Sequence, residues 1–165
     1  MKAAPIKVYE NLYIGGEQDS GPHYDVVIRA AKKFHRETLG YTGNLSKSHQ
    51  HYRFLERPRE LILNLVDADS VLYIDHKVIS RAIQFIHKNI DGNSILVHCE
   101  QGVSRAPSIG FLYLMYRGVF ANLSFADAIL EYLKIYPRYR PNSGIFDFVR
   151  ICYENPVAAK WLSDL

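Results

Sequence analysis

The middle of the chain alternates twice between a short apolar run and a longer stretch with helical periodicity. Leu61–Val66 and Ser94–His98 have the length of strands, and apolar residues recur at helical spacing over His76–Ile90 and about Pro107–Arg117. Continuous apolar strands are typical of parallel sheets, in which consecutive strands are joined by crossover helices. The sequence therefore predicts an α/β fold with a central, mostly parallel twisted sheet flanked by helices.

Further elements are predicted on both sides of this core. They are a hairpin of Ile6–Tyr9 and Leu12–Ile14, a short strand over Asp25–Ile28, a helix from Ser124 to about Tyr136, and a last helix after Ser143. A chain of 165 residues has the usual size of one domain, so we expect a single domain over residues 1–165.

Residues 29–59 differ from the rest of the chain in charge. They contain eight Lys or Arg residues but only two acids, Glu37 and Glu56, and several glycines, serines and asparagines interrupt them. We interpret this stretch as a basic, partly irregular insertion. Since charged runs usually face solvent, a solvated loop is its simplest explanation.

Composition excludes several classes of protein. With 48% apolar and 22% charged residues, wholesale disorder is not expected, and no apolar run reaches the length of a membrane span. Residues 1–5 lack the apolar core of a secretory signal. Two cysteines, Cys99 and Cys152, are too few for a disulfide framework, which predicts a reducing, cytoplasmic location. His49 and His51 lack a third metal ligand, so no metal site is predicted.

The residues most informative about chemistry are His98 to Arg105. Cys99 stands at the end of a predicted buried strand, and Arg105 stands six residues later at the start of a predicted helix. The loop between them contains Gly102, which can adopt backbone angles that other residues avoid. Such a loop can direct successive N–H groups at one centre and bind a tetrahedral oxyanion there, with the Arg105 guanidinium supplying two parallel hydrogen bonds. The same positive field favours a thiolate at Cys99, a nucleophile for phosphorus.

This Cys-x5-Arg pattern, preceded by His and with Gly at the third intervening position, resembles the motif of the protein tyrosine phosphatase superfamily. Residues 95–97, 111–115 and 140–146 (Arg-Pro-Asn-Ser-Gly-Ile-Phe) narrow the resemblance to the dual-specificity branch, and residues 12–15 are similar to that family's entry segment. The resemblance covers about residues 6–16 and 61–152. The basic stretch at 29–59 lies outside it.

The resemblance implies a mechanism and a set of site residues. Cys99 would attack phosphorus to form a phosphocysteine, Arg105 would hold the phosphoryl oxygens, and an aspartic acid would protonate the leaving oxygen. Spacing from the helix at 76–90 favours Asp69 as this acid, with Asp67 as the alternative. The substrate-binding residues would be Glu100, Gln101, Gly102, Val103, Ser104 and Arg105. No cofactor or metal is implied.

Two residues depart from the family pattern. Ala106 stands where the family usually has a hydroxyl residue, which is thought to stabilise the departing thiolate when phosphocysteine is hydrolysed. We therefore expect slow dephosphorylation and some accumulation of phosphoenzyme. Glu100 places an acid beside the nucleophile, and we expect it to face solvent or to pair with an arginine.

Several neighbouring residues have simpler interpretations. We expect His98 to be a buried residue that hydrogen-bonds the loop, because side chains of adjacent strand residues point to opposite faces. Cys152 is predicted to pack in the core. Tyr113, Tyr136 and Tyr139 are candidates for the rim of the pocket.

The predicted partner is a phosphorylated protein or peptide, bearing phosphotyrosine with or without phosphoserine and phosphothreonine. An RNA 5′-phosphatase is the alternative, supported by the basic stretch and in particular by Arg53, Arg57 and Arg59. A weakly active or non-catalytic phosphate-binding module is the third hypothesis, motivated by Ala106 and Glu100. An intact set of Cys99, Arg105 and Asp69 argues against the third.

Overall fold

A computed structural model describes residues 2–164; Met1 and Leu165, which the expected domain 1–165 includes, lie outside the described residues. The strands are β1 (Ile6–Tyr9), β2 (Leu12–Gly16), β3 (Val26–Arg29), β4 (Phe54–Arg57), β5 (Glu60–Leu63) and β6 (Ile95–Cys99). The helices are α1 (Lys32–Leu39), α2 (His76–Asn89), α3 (Arg105–Tyr116), α4 (Phe125–Ile135), α5 (Ser143–Glu154) and α6 (Lys160–Ser163), with a 3₁₀ turn at Val71–Tyr73.

The strands form one mixed sheet in the order β1-β2-β6-β3-β5-β4. The four central strands are parallel, and only the edge strands β1 and β4 pair antiparallel. In the middle of the sheet, β6 lies between β2 and β3, and its Ile95 and Val97 are fully buried. The predicted α/β fold with a mostly parallel central sheet is therefore confirmed, and the carboxyl end of β6 lies at the centre of one sheet edge.

Helices cover both faces of the sheet. Because successive strand residues face opposite sides, Leu61 and Leu63 join the large core while Ile62 packs with Ala31 and Phe34 beneath α1. On the other face, α3 is buried on nearly every side because it packs between the sheet, α2 and α5. Consequently the segment that joins β6 to α3 begins and ends on two of the most buried elements of the molecule.

Most predicted elements are confirmed within a few residues. The strand expected over 61–66 ends at Leu63, and the helix expected from about Pro107 begins at Arg105, so that proline lies in its first turn. Ser124 caps α4, accepting a hydrogen bond from the N–H of Asp127 at 3.1 Å. The short helix α6 was not predicted.

The basic stretch at 29–59 is not one solvated loop. It contains α1 and β4, and its His35 is fully buried between Tyr41 and the main chain of His51. Only residues 40–53 between these two elements lack helix or strand. Helix α1 was not predicted because only Phe34 and His35 of its eight residues are buried and no side chain caps its amino terminus.

Candidate active site

The candidate site is the five-residue loop of residues 100–104, which joins Cys99 at the end of β6 to Arg105 at the start of α3. The loop closes one side of a cavity of about 140 Å³. The lining residues are Asp67, Cys99, Glu100, Gln101, Val103, Ser104 and Arg105. The structure thus brings together five of the six residues predicted to bind substrate, along with the predicted nucleophile and Asp67.

Four consecutive carbonyl groups of this loop are held from outside the cavity. Glu100 O accepts from the N–H of Glu17 at 3.1 Å, Gln101 O from Arg138 Nη2 at 3.2 Å, Gly102 O from Tyr136 Oη at 2.5 Å, and Val103 O from the N–H of Arg140 at 2.8 Å. These donors come from the end of β2 and from the segment between α4 and α5. The back of the loop is therefore fixed by the surrounding scaffold.

The orientation of the carbonyls determines where the N–H groups point. In a trans peptide the C=O and N–H point in opposite directions, and residues 2–164 contain no cis peptide. The N–H groups of residues 101–104 are thus directed away from the scaffold, and no hydrogen bond from them is found in the described part of the chain. Together with the amino-terminal end of the 12-residue helix α3, they form a cup with the donor geometry for an oxyanion.

Two glycines allow this loop to close against the end of β2. Gly102 has a φ of +73°, and a Cβ placed on it would lie 2.6 Å from the backbone nitrogen of Gly16. A Cβ on Gly16 would in turn lie 2.8 Å from the carbonyl carbon of Gln101. Both contacts are too short for a side chain, so glycine is required at each position by space, and at Gly102 by backbone conformation as well.

Cys99 lies at the floor of the cup, with 2% of its surface exposed. It is paired in register with Gly16 at the end of β2, which places its backbone within the sheet. Among the described residues, no hydroxyl donates a hydrogen bond to its sulfur: the hydroxyl of Ser104 is bound to Asp67, and Ala106 has none to offer. The sulfur is consequently held by packing at the carboxyl end of β6, where the loop of residues 100–104 begins.

Arg105 is almost fully buried, and its guanidinium is oriented by two acceptors. Its Nη1 donates to Leu65 O at 3.0 Å, and its Nη2 donates to Glu100 Oε1 at 3.2 Å. Its Nε is buried and has no hydrogen-bond partner within residues 2–164. A buried donor without a partner is costly, and an oxyanion in the cup would satisfy it. Glu100 was expected either to face solvent or to pair with an arginine, and the structure shows the pair with Arg105.

The two candidate aspartates occupy different positions. The carboxylate of Asp67 lines the cup and accepts a hydrogen bond from Ser104 Oγ at 2.7 Å. Asp69 is exposed and does not line the cup, and its backbone carbonyl accepts from Ser143 Oγ at 2.8 Å. The segment that carries both is fastened to the start of α5, where Asn142 Nδ2 donates to Asp67 O at 2.9 Å.

Sequence reasoning missed a group of residues that supports the cup. Asp19 has only 6% of its side chain exposed, accepts from the N–H of Gly16 at 2.9 Å, and pairs with Arg138 at 2.8 Å. The hydrogen bond to Asp19 raises the pKa of Arg138 above its usual value. An acid three residues after the Gly15–Gly16 pair was the available signal, but its partner lies 119 residues away in the chain.

The prediction that three tyrosines lie at the rim of the pocket is wrong. Tyr113 and Tyr136 are fully buried and Tyr139 is 4% exposed, so none of the three lies at a rim. Tyr136 lies behind the loop, and burial raises its pKa well above the usual value, which keeps its hydroxyl a donor to Gly102 O. Tyr139 hydrogen-bonds to Ser108 at 2.9 Å inside the core.

His98 and Cys152 are both buried, as predicted. The clearest polar contact of the His98 ring is with Arg29 Nη1 at 3.2 Å, whereas its Nδ1 lies 3.4 Å from Cys99 O and no bond reaches residues 100–105. Burial, and then the charge of Arg29, lower the pKa of His98. Burial raises the pKa of Cys152 to about 12, which makes its thiol a packing group.

Comparison with known proteins agrees with this geometry. No family model matches the chain. It is 34% identical over 110 residues to dual specificity protein phosphatase 22-A of Danio rerio, covering 66% of this chain and 47% of that protein. It is 28% identical over 116 residues to a putative tyrosine phosphatase, 123R, of Invertebrate iridescent virus 6, covering 67% of each. The chain thus spans about half to two thirds of the length of these relatives.

The solved structures agree in fold. The structure of DUSP15 matches with a TM-score of 0.65 at 20% identity, over 98% of this chain and 94% of that one. The human tyrosine phosphatase-like serine/threonine/tyrosine-interacting protein matches with a TM-score of 0.64 at 16% identity, over 98% and 99%. The chain therefore has the fold of these phosphatase and phosphatase-like structures, and in sequence it is similar to a dual specificity protein phosphatase.

Neither a membrane span nor a metal site is found within residues 2–164. No helix there has both the length and the apolar character needed to cross a bilayer. No group of three or more His, Cys, Asp or Glu side chains there is close enough to hold a metal ion.

Proposed function

We propose that the chain is a cysteine-dependent phosphatase that hydrolyses phosphomonoesters through a phosphocysteine intermediate. One observation carries the proposal: the Cys99 thiol lies at the floor of a cup formed by loop N–H groups without hydrogen-bond partners among the described residues, and the same cavity is lined by Arg105, whose buried Nε has no partner there either. This arrangement matches the three equatorial oxygens of a phosphoryl group above a nucleophile. Relatives named as phosphatases support the same activity.

In the first step, the Cys99 thiolate attacks phosphorus in line with the ester oxygen. The S–P bond forms as the P–O bond to the leaving group breaks, and the electron pair remains on the leaving oxygen. A carboxylic acid protonates that oxygen. Arg105 and the N–H groups of residues 101–104 hold the phosphoryl oxygens, which carry the negative charge in the transition state.

In the second step, water attacks the phosphocysteine. The carboxylate formed in the first step accepts a proton from the water, the new P–O bond forms, and the S–P bond breaks to regenerate the Cys99 thiolate and release inorganic phosphate. Without a hydroxyl at Ala106, the departing thiolate loses a donor that the family usually supplies. We propose that this second step limits turnover.

We propose Asp69 as the general acid and Asp67 as the residue that links the acid segment to the loop. The leaving oxygen projects out of the cup, so its acid must lie above the mouth rather than inside the phosphate site. Both aspartates are exposed, but Asp67 accepts a hydrogen bond from Ser104 Oγ, whereas the carboxylate of Asp69 has no hydrogen-bond partner among the described residues. Spacing from α2 supports the same assignment.

The proposed substrates are phosphotyrosine and, with it, phosphoserine and phosphothreonine in proteins or peptides. The support is the sequence relation to a dual specificity phosphatase. We also propose a reducing compartment such as the cytoplasm, since a thiol nucleophile must remain reduced to act.

An RNA 5′-phosphatase remains the second candidate, and the structure changes which residues would serve it. Of Arg53, Arg57 and Arg59, only Arg53 lines a cavity near the site. Arg57 pairs with Glu60 at 2.8 Å, and Arg59 lies exposed in the turn between β4 and β5. A phosphate-binding module without catalysis is disfavoured by the complete set of Cys99, Arg105 and Asp69.

Turnover of p-nitrophenyl phosphate tests the proposed function. The wild type should release p-nitrophenol, and Cys99→Ser should reduce kcat by about 10³-fold or more while preserving phosphate binding in the cup. Cys152→Ser is the matched control, because that thiol packs in the core away from the loop, and it should retain turnover. A wild type without activity, or equal activity in Cys99→Ser, would refute the proposal.

A further inference from the structure

Two further cavities continue from the cup along one side of the molecule. The first, of about 420 Å³, shares Asp67, Glu100 and Arg105 with the cup. The second, of about 360 Å³, shares Lys32 and Val66 with the first. We call the first the middle groove and the second the end cavity. The three cavities form a row linked by these shared lining residues, from Cys99 to the space between α1, residues 44–53 and the start of α2, and we call this row the channel.

The channel carries an excess of positive charge. The middle groove is lined by Lys32, Lys33 and Arg36, and the end cavity adds Lys47 and Arg53. Lys33 pairs with Glu17 and Arg53 pairs with Asp75, both at 2.8 Å. The other three, Lys32, Arg36 and Lys47, form no ion pair within residues 2–164.

Neutral acceptors hold two of these cations in place. Lys32 Nζ donates to Asn44 Oδ1, and Arg36 Nε donates to Gly43 O at 3.2 Å. Burial and the neighbouring Arg36 charge lower the pKa of Lys32, as expected for cations crowded together without counter-charges. Two acids, Asp67 and Glu100, line both the cup and the middle groove; Asp67 accepts a hydrogen bond from Ser104 Oγ, and Glu100 is paired with Arg105. Several anionic groups in a row would balance this channel.

The end cavity has a different chemistry from the middle groove. Two aromatic side chains, Tyr52 and Tyr73, line it with the amide side chains of Asn44 and Asn64. Tyr73 is 68% exposed, so its ring face is available to a ligand. Tyrosine faces stack on nucleobases, amides hydrogen-bond to base edges, and nearby Lys and Arg bind phosphates.

We propose that the channel binds a nucleoside 5′-oligophosphate, with the terminal phosphate in the cup, the following phosphates on Lys32, Lys33 and Arg36, and the nucleoside in the end cavity. The proposal rests on the phosphatase function proposed above. A free nucleotide and the 5′ end of a nucleic acid strand present the same chemistry, and the experiment below separates them.

The position of the cations favours an oligophosphate over a peptide with two phosphorylated residues. The middle groove adjoins the cup directly through Arg105, so its three cations lie where the second and third phosphates of a chain would be. A peptide would place uncharged backbone there before its second phosphate reached the end cavity. Lys32 and Arg36, which form no ion pair within residues 2–164, would then lack anionic partners.

The chemistry balances without an additional reactant. The Cys99 thiolate attacks the terminal phosphorus, the S–P bond forms, and the bond from that phosphorus to the bridging oxygen breaks, leaving its electron pair on the shortened oligophosphate. Water then hydrolyses the phosphocysteine to inorganic phosphate. Because an oligophosphate leaves readily as an anion, this reaction depends less on the general acid than ester hydrolysis does.

The experiment compares kcat/KM for ATP, GTP, inorganic tripolyphosphate, a 5′-triphosphorylated oligoribonucleotide, a doubly phosphorylated peptide and p-nitrophenyl phosphate. The test variants are Arg36→Ala and Lys47→Ala, which remove exposed cations from the two parts of the channel. Arg59→Ala is the matched control, because it removes a cation from the same basic stretch that does not line the channel. Circular dichroism establishes that each variant is folded.

We expect each test variant to reduce kcat/KM for the nucleotides or the oligoribonucleotide by about tenfold more than for p-nitrophenyl phosphate, and Arg59→Ala to change neither by more than about twofold. Whichever of free nucleotide and oligoribonucleotide has the higher kcat/KM identifies the source. Tripolyphosphate turned over as well as ATP would overturn the nucleoside assignment.

Two other results would overturn the inference while leaving the proposed phosphatase intact. One is hydrolysis of p-nitrophenyl phosphate without measurable hydrolysis of any oligophosphate. The other is dependence on Arg36 and Lys47 only with the doubly phosphorylated peptide. If the wild type hydrolyses neither p-nitrophenyl phosphate nor any oligophosphate, the proposed function itself fails.

Discussion

The cup and the basic flank, residues 32–53, meet at Arg105 but are built in opposite ways. In the cup, four successive carbonyls are held by donors from distant parts of the chain, and the loop joins two buried elements. In the flank, residues 40–53 have no helix or strand and are fixed mainly by local hydrogen bonds, such as those of His35 with Tyr41 Oη and His51 O.

Under the proposed function, the cup carries out the reaction, and the flank determines which substrate binds. A cup held through its backbone keeps its geometry when outward-facing side chains change, because the proposed donors toward phosphate are, apart from Arg105, main-chain N–H groups. A flank held by side chains on a short helix can change its charges without disturbing the sheet. Under the proposed function, the first region therefore supplies the reaction chemistry, and the second can change its charges independently.

Two glycines, one in each region, have the same left-handed backbone conformation, and replacing them tests this comparison most sharply. The largest loss of kcat is expected here. Gly102 in the cup and Gly43 in the flank have φ values of +73° and +67°, but only Gly102 is closely surrounded. Gly102→Ala should lower kcat on p-nitrophenyl phosphate by about 10³-fold, because the added Cβ would displace the loop from Gly16. Gly43→Ala carries only the backbone penalty, about 1–2 kcal/mol of unfolding free energy, with kcat nearly unchanged.

Chemical denaturation and steady-state kinetics measured on both variants check this prediction. A Gly102→Ala enzyme with near-normal kcat would mean that the loop tolerates displacement and that the scaffold behind it does not fix the cup. A Gly43→Ala enzyme with a large loss of kcat would mean that the flank, too, determines the reaction geometry.

The two aspartates extend the comparison from backbone to carboxylates. With Asp69 as acid, Asp69→Asn should lower kcat by about 10²-fold on an alkyl phosphate, whose leaving group needs a proton, and by less on p-nitrophenyl phosphate. Asp67→Asn keeps an oxygen that can accept from Ser104 Oγ, so its kcat should fall only a few-fold. The difference in kcat between the alkyl and the aryl ester should change in Asp69→Asn alone. The reverse pattern would assign the acid to Asp67.

The sequence predicted the parts of the site that are local in the chain. Cys99, Gly102 and Arg105 lie within seven residues, between a strand and a helix whose periodicities are clear, and the structure places all three at the loop. The positions of β6 and α3 followed from apolar patterns alone. Parallel pairing followed from element order, since a strand–helix–strand unit has few alternatives.

The rest required contacts between distant residues. Nothing local in the sequence distinguishes Tyr136, which binds the loop from behind, from tyrosines that only pack, and Asp19 is paired with a residue 119 positions away. The flank was misread for a different reason. Helix α1 has only eight residues, few of them apolar, and no side chain caps its amino terminus, while its charges resemble those of a loop.

Ala106 allows a smaller effect to be measured inside the cup. Rapid quench with p-nitrophenyl phosphate should show a burst of p-nitrophenol followed by slower turnover, because phosphocysteine accumulates. Ala106→Ser restores the hydroxyl in the first turn of α3 and should speed the second step several-fold, reducing the burst. Since Ala106 is fully buried, thermal unfolding of the variant is the control for overpacking. A linear time course in the wild type at saturating substrate would contradict this expectation.

The smallest expected effect compares the two regions through their buried histidines. His35 in the flank and His98 behind the cup both have pKa values lowered, chiefly by burial. Their folded-state pKa values thus lie below the ordinary value of about 6.5. As the pH falls below 6.5, the unfolded chain therefore binds more protons than the folded protein does. The stability that these neutral rings contribute is present above pH 6.5 and is lost as the pH falls toward the folded-state values. Urea unfolding should show lower stability at pH 5.5 than at pH 7.5, with each histidine contributing at most about 1.4 kcal/mol. His35→Gln, which cannot titrate, should lower stability at pH 7.5 but reduce the difference between the two pH values. An unchanged difference would mean that the flank contributes nothing to acid sensitivity and that His98 alone carries it.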